Sequence, residues 1–325
     1  MSKKNYGIPY MGSKNRIAVK LIDFLPSSKV LVDLFGGGGA VSDCASQTNK
    51  WERIIYNEIA LMPYKGFQMA LNGEFQGENR WISREEFFKL KDIDPYVCFC
   101  FSFGNNLKDY MYSAKIEPYK KAIHYAVLYN DYSLMQEWMP ETVNEVKAAI
   151  QDIPTSNTKQ RRIKLQNTIT QTIKDLNNPE LLNIPIYGSI KKKQNRLQSL
   201  QSLERLERLE RLQSLERLES LARQYHPIEL YNKDYQDVEL PKPSECVIYC
   251  DIPYEKTGTY INIDFDYERF YKWVETKVSE GYEIYVSSYS LPEDKFIEVW
   301  STETIQSLSP TKSSKTIEKV FKWKK

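Results

Sequence analysis

The residues CDIPY at 250–254 bring a carboxylate, a proline and an aromatic ring together directly after the apolar run CVIY. Pro253 has no N–H and restricts Ile252 to extended geometry, so the turn is stiff. Asp251 and the Ile252 carbonyl can both accept hydrogen bonds from one exocyclic amine, and the ring of Tyr254 can stack on the base that carries it. That combination suits an extruded nucleobase, gripped by its amine and its flat face. An acidic surface turn would contain the same residue types, so the choice rests on what else the chain carries.

A second constellation is VDLFGGGGAVS at 32–42, which follows an apolar run and opens a helical pattern. Glycines there let a backbone approach a ligand closely, and a helix start offers unpaired N–H groups. A flexible turn and a dinucleotide-binding loop both fit. The absence of GxxxxGK[ST] excludes a triphosphate loop. Glu58, in YNEI, follows the glycines by roughly twenty residues, the spacing at which an acid commonly holds ribose hydroxyls. Nicotinamide enzymes use the same spacing. The five cysteines (Cys44, Cys98, Cys100, Cys246, Cys250) form no CxxC pair and lie mostly in apolar runs, so they read as buried free thiols. With only His124 and His226, a histidine-based zinc site or catalytic triad has no support.

Four stretches have the composition of strands buried on both faces: KVLVDLF (29–35), RIIYNEI (53–59), CVIYCDIPY (246–254) and YEIYVSSY (282–289). Helical patterns follow the glycines (GAVSDCASQTN) and precede the last strand (DYERFYKWVETKVSEG). Alternation of this kind predicts an α/β, doubly wound Rossmann-like sheet. Residues 76–229 differ: they are polar and helix-prone and divide the α/β domain into 1–75 and 230–325. Within them, leucine recurs at every third position across 197–223. In an α-helix such leucines spiral around the cylinder, whereas a three-residue turn aligns them in one stripe. Both conformations stay open, and the seven-residue period of a zipper is not met.

Net charge is only +2, but cations cluster in KQRRIK (159–164), KKKQNR (191–196) and the terminal KTIEKVFKWKK. Each cluster alone reads as solvated surface; several together predict contact with a phosphate backbone. No apolar run approaches the ~20 residues of a membrane span, and the first residues lack an apolar signal core, which predicts a cytoplasmic protein.

Taken in order, the motifs resemble the Dam-like, α-group N6-adenine-specific DNA methyltransferases. PYMGSK carries Tyr10 and Lys14; DLFGGGG carries Asp33, Phe35, Gly36 and Gly38; NEI carries Glu58; NKDYQDV carries Asp234 and Tyr235; and CDIPY closes the set. The resemblance covers about 1–65 and 230–325, with FSFGNNLKDYMYS a loose match between. It implies a methyltransferase sheet with an inserted, mainly helical target-recognition domain at 76–229. It implies S-adenosyl-L-methionine as cofactor, with Tyr10, Lys14, Phe35 and Glu58 at its methionine and ribose, Asp33, Gly36 and Gly38 lining its site, and Asp234 and Tyr235 at its adenine. Asp251, Ile252, Pro253 and Tyr254 are the implied catalytic motif, double-stranded DNA the partner, restriction–modification a possible setting, and no metal is called for. The family has proline where this chain has Ile252; the contact made there is a backbone carbonyl, which isoleucine also supplies. RNA or cytosine-N4 methylation and a non-catalytic DNA-binding relative remain open, as does a nicotinamide oxidoreductase, which leaves DIPY idle.

Overall fold

The apolar runs form β1 (Val30–Asp33), β2 (Arg53–Asn57), β4 (Cys246–Asp251) and β5 (Glu283–Ser288), joined by β3 (Ile228–Tyr231) and by a hairpin of β6 (Phe296–Ser309) and β7 (Lys312–Trp323). The computed structural model describes residues 5–176, 185–186, 227–254, 265–309 and 312–324. The leucine repeat at 197–223 and the KKKQNR run lie outside the described residues. The chain divides into two compact units, Met1–Gln76 with Arg211–Lys325, and Gly77–Glu210.

In the first unit the strands form one seven-stranded mixed sheet, ordered β3-β2-β1-β4-β5-β7-β6, which makes this an α/β, Rossmann-like fold. β1 to β5 are parallel, and β7 runs antiparallel to both β5 and β6. β3 begins inside the stretch whose expected limit was 229, because four half-buried residues leave little local pattern to mark a strand. The C-terminal KTIEKVFKWKK, expected as a basic surface cluster, ends β7 instead. Lys319 and Lys322 there pair with Glu298 and Glu283, each at 2.8 Å.

Successive residues of the central strands feed two separate cores, as the pleat requires. Val30, Val32, Ile248, Cys250, Ile284 and Val286 face one side, where α10 (Tyr267–Ser279) contributes Phe270, Tyr271, Trp273 and Val274. Leu31, Ile54, Val247, Tyr249 and Tyr285 face the other, against Ala18, Leu21 and Ile22 of α1 (Ala18–Phe24) and Val41, Cys44 and Ala45 of α2 (Ala40–Ser46). Burial on both faces explains why the strands read as unbroken apolar runs. Among the described residues this unit also holds α3 (Leu61–Leu71).

The second unit is helical among its described residues: α4 (Arg84–Leu90), α5 (Pro95–Phe101), α6 (Glu117–Tyr129), α7 (Ser133–Trp138), α8 (Val143–Ile150) and α9 (Thr158–Leu176). A Ser83–Glu86 capping box starts α4, and Asp94 with Pro95 starts α5. Its core gathers Ala126, Val127, Met135, Val146, Leu165 and Ile169. Arg161, in the middle of the KQRRIK run, points into that core and is fully buried, so it is not available to a phosphate. Among the described residues, no helix is long and apolar enough to cross a membrane, and no group of three His, Cys, Asp or Glu side chains could hold a metal ion.

Candidate cofactor and substrate site

Four adjacent parallel strands each end at an acid. Along the sheet edge these are Asp234 after β3, Glu58 after β2, Asp33 at the end of β1 and Asp251 at the end of β4. Sheet order reverses between β1 and β4, and open α/β sheets place their ligands beyond the carboxyl ends of the strands at such a point. All four acids line one cavity of about 210 Å³, together with Tyr10, Lys14, Phe35, Gly36, Gly38, Tyr235 and Pro253. Of the thirteen sequence-selected residues, only Ile252 and Tyr254 are not in its wall.

Asp33 is 1% exposed. Its Oδ2 accepts from Ser42 Oγ at 2.7 Å, while Oδ1 has no partner among the described residues. Burial, with smaller contributions from the Asp251 and Glu58 charges, pushes its carboxyl up to about 7. Glu58 Oε2 accepts from Gly37 N at 2.8 Å and Oε1 from Ala60 N at 2.7 Å. Burial still outweighs those two donors and raises its pKa. Each oxygen keeps a second lone pair, which a diol can use.

The glycine loop is glycine-rich for a different reason from the one its sequence suggests. A Cβ on Gly36 would lie 2.2 Å from the Tyr56 ring, and one on Gly38 would lie 2.7 Å from Tyr10 Cβ and 2.8 Å from Ile8 O. The space is filled by the protein itself, so these glycines permit close packing of the chain and do not primarily admit a ligand. Tyr56 Oη donates to Gly37 O at 2.7 Å and Ile8 N to Gly38 O at 2.7 Å, which fixes the loop from both sides.

Asn57 was not singled out from the sequence, although it adjoins Glu58. It is buried; its Nδ2 donates to Leu34 O and Lys233 O at 3.1 Å each, and its Oδ1 accepts from Lys233 N at 3.1 Å. One side chain therefore ties together the loops that carry Phe35, Glu58 and Asp234. Asp234 Oδ1 accepts from Gln236 N, and its Oδ2 pairs with Arg269 Nη1 at 2.9 Å. Arg269, a further cavity residue the sequence did not mark, also covers the Tyr235 ring at 5.4 Å. Tyr235 packs between Phe35 (5.3 Å) and Trp273 (5.3 Å), with its hydroxyl buried and unpartnered among the described residues. Burial moves that phenol up to about 12.

The CDIPY residues divide their labour. Lys14 opens a short 3₁₀ turn capped by Ser13 Oγ. Expected at the cofactor's methionine, it lines the cavity and places its ammonium 2.6 Å from Asp251 Oδ2 and 4.9 Å from the centre of the Tyr254 ring. Burial pushes Asp251 up to about 6 against the opposing pull of Lys14. Ile252 turns into the core, and the Pro253 carbonyl accepts from Tyr267 Oη at 2.9 Å. Tyr254, expected to offer its ring to a base, is 5% exposed in this conformation. Its hydroxyl donates to Glu318 Oε2 at 2.7 Å, and Tyr289 packs edge-on at 4.5 Å.

Five carboxylates (Asp33, Glu58, Asp234, Asp251, Asp266) and three cations (Lys14, Lys233, Arg269) line the cavity. Ion pairs join Asp234 to Arg269 and Asp251 to Lys14. Asp33, Glu58 and Asp266 then line the cavity with no ion pair among those described, an arrangement that favours a cationic, hydroxyl-bearing molecule. Fold and site define a Rossmann-like α/β protein with an acid-lined ligand cavity at the switch point of its sheet. In comparison with known proteins, no family model and no curated protein matches this chain.

Proposed function

We propose that the chain is a DNA adenine N6-methyltransferase with S-adenosyl-L-methionine as cofactor. The observation that carries this reading is the acid-rich cavity at the switch point of the sheet, one of whose lining acids, Asp33, has a buried Oδ1 with no hydrogen-bond partner among the described residues. A molecule with an ammonium, a sulfonium and a ribose diol fits that donor set; a dinucleotide, whose phosphates are anionic, fits it poorly. The antiparallel β7 also departs from the dinucleotide-binding strand order 3-2-1-4-5-6. When bound, the cofactor supplies a methyl group activated by a positively charged sulfur.

The chain's own residues do the rest. Asp33 would take the cofactor's ammonium, Glu58 the ribose hydroxyls with Phe35 beside them, and Tyr235 its adenine. Asp234, neutralised by Arg269, acts at that end through shape more than through charge. Asp251 accepts a hydrogen bond from the target amine, and Lys14 keeps Asp251 ionised for that purpose. Together with the Ile252 carbonyl, that contact draws the amine towards tetrahedral geometry and stabilises the positive charge developing on it. Attack is then a positioning problem and needs no covalent nucleophile. Residues 76–229 are the proposed target-recognition insertion, with exposed Lys159 and Lys164 as phosphate contacts in place of the buried Arg161.

One observation favours a second reading, a non-catalytic DNA-binding relative: Asp251 is held by Lys14 and Tyr254 by Glu318. Sequencing DNA from cells that lack adenine methylation and express this chain separates the readings. N6-methyladenine in one sequence context is expected. Modified cytosine points to the cytosine-N4 activity, and unmodified DNA with retained cofactor binding to the non-catalytic relative.

A further inference from the structure

Asp251 and Glu318 are two carboxylates bridged by one phenol. Tyr254 Oη lies 2.7 Å from Glu318 Oε2 and 3.3 Å from Asp251 Oδ1, although Glu318 is 64 residues further along the chain, on β7. Lys14 holds the other oxygen of Asp251, so Oδ1 is the one that looks along the chain of hydrogen bonds. Tyr289 closes on the Tyr254 ring, and the Tyr249–Ser287 hydrogen bond at 2.8 Å lies in the same pair of strands as Asp251. Nothing in the proposed amine-gripping role of Asp251 requires a second buried acid behind Tyr254. A buried carboxylate is costly to keep without a task or a partner.

The task follows from the chemistry of the proposed reaction, on which this inference rests. As the methyl group bonds to the target nitrogen, that nitrogen must shed one proton. We propose that Glu318 is the final acceptor of that proton, relayed from Asp251 through the Tyr254 hydroxyl. The N–H bond breaks and its electron pair stays on nitrogen, while an O–H bond forms on Asp251. The Asp251 proton then passes to Tyr254 Oη as the original phenol proton passes to Glu318 Oε2. Asp251 returns to its anion, Tyr254 stays neutral, and Glu318 carries the proton. Lys14 cannot serve, because its ammonium has no lone pair to accept with. Glu318 is 8% exposed, which leaves it an edge to solvent for release.

Single-turnover methylation of DNA bearing the parent's target, with cofactor in excess, tests the relay. Glu318→Gln keeps an acceptor for the Tyr254 hydroxyl but cannot take a proton. Its rate should fall about a hundredfold, in the range of general acid–base contributions, with cofactor affinity unchanged. Glu318→Asp should recover part of that loss. Tyr254→Phe cuts the same link from the other side, so the double variant should be no slower than the slower single one. The parent should show a solvent deuterium isotope effect that Tyr254→Phe changes. Glu318→Gln turning over at the parent rate, or losses that multiply in the double variant, overturns the relay and leaves the methyltransferase reading standing. Should Glu318→Gln fail to fold, Tyr254→Phe at the parent rate overturns it equally. A parent chain that methylates no DNA overturns both.

Discussion

Arg161 and Asp33 are both ionisable and both shut away from solvent, and they are provided for in opposite ways. In the helical unit, Arg161 donates to the carbonyls of Val127, Ile150, Ile153 and Ala126 and to Asn130 Oδ1, so α6, α8 and α9 converge on one guanidinium. In the sheet unit, Asp33 lines a cavity and receives one hydroxyl on one oxygen, while its other oxygen is buried without a hydrogen-bond partner among the described residues. Burying an ion costs several kcal/mol unless its hydrogen-bonding capacity is met. Where the chain meets that capacity itself, the charge belongs to the fold. Where it stops short beside a cavity, the proposed cofactor would supply the remaining contact.

Substitutions can break or sharpen this contrast. The largest effect should come from Arg161→Met, which strands five acceptors and should destabilise the protein by about 3–5 kcal/mol, measured by denaturant unfolding. Stability unchanged in that variant would remove the first half of the comparison. Asp251→Ala comes next. It removes one contact to the target amine and should slow methylation by about a hundred- to a thousandfold, or about 2.7–4 kcal/mol; because it also takes the carboxylate away from the buried Lys14 ammonium, the melting temperature should fall as well.

Asp33→Asn should act oppositely on binding and on stability. Cofactor affinity should fall by about 1.5–3 kcal/mol, the worth of one hydrogen bond to a charged group, as calorimetry can read. Its folded pKa of about 7 lies above the ordinary carboxylate value, so Asp33 favours folding while protonated. That contribution is lost as pH rises through about 7, and above it the asparagine variant should be the more stable of the two. The smallest effect follows from the same sign. A cation at Asp33 Oδ1 favours the ionised carboxyl, so below pH 7 binding should release a proton and affinity should climb towards pH 8. Calorimetry in buffers of different ionisation enthalpy counts that proton; a count of zero at pH 6.5 would mean that Asp33 is not the ligand's partner.

Much of the ligand edge was legible locally. A parallel strand covered on both faces has no polar position until it leaves the sheet, so in VLVD, RIIYNE and CVIYCD the first acid marks both the strand's end and the cavity's wall. β3 and the β6–β7 hairpin escaped notice because these strands keep charged residues along their length, and KTIEKVFKWKK looks like surface until Lys319 is seen paired across the hairpin with Glu298 and Lys322 with Glu283 of β5.

The sequence by itself thus determined the α/β class, the four central strands and the acids at their ends, because these follow from the period and length of apolar runs. Only the tertiary structure decided what each charge faces. It turned Arg161 inward from a run of cations, gave Lys14 to Asp251 and set Glu318 behind Tyr254. It also filled the space beside Gly36 and Gly38 with tyrosine. Those pairings join residues far apart in the chain, and a side chain's direction there is set by packing against elements that local spacing does not record.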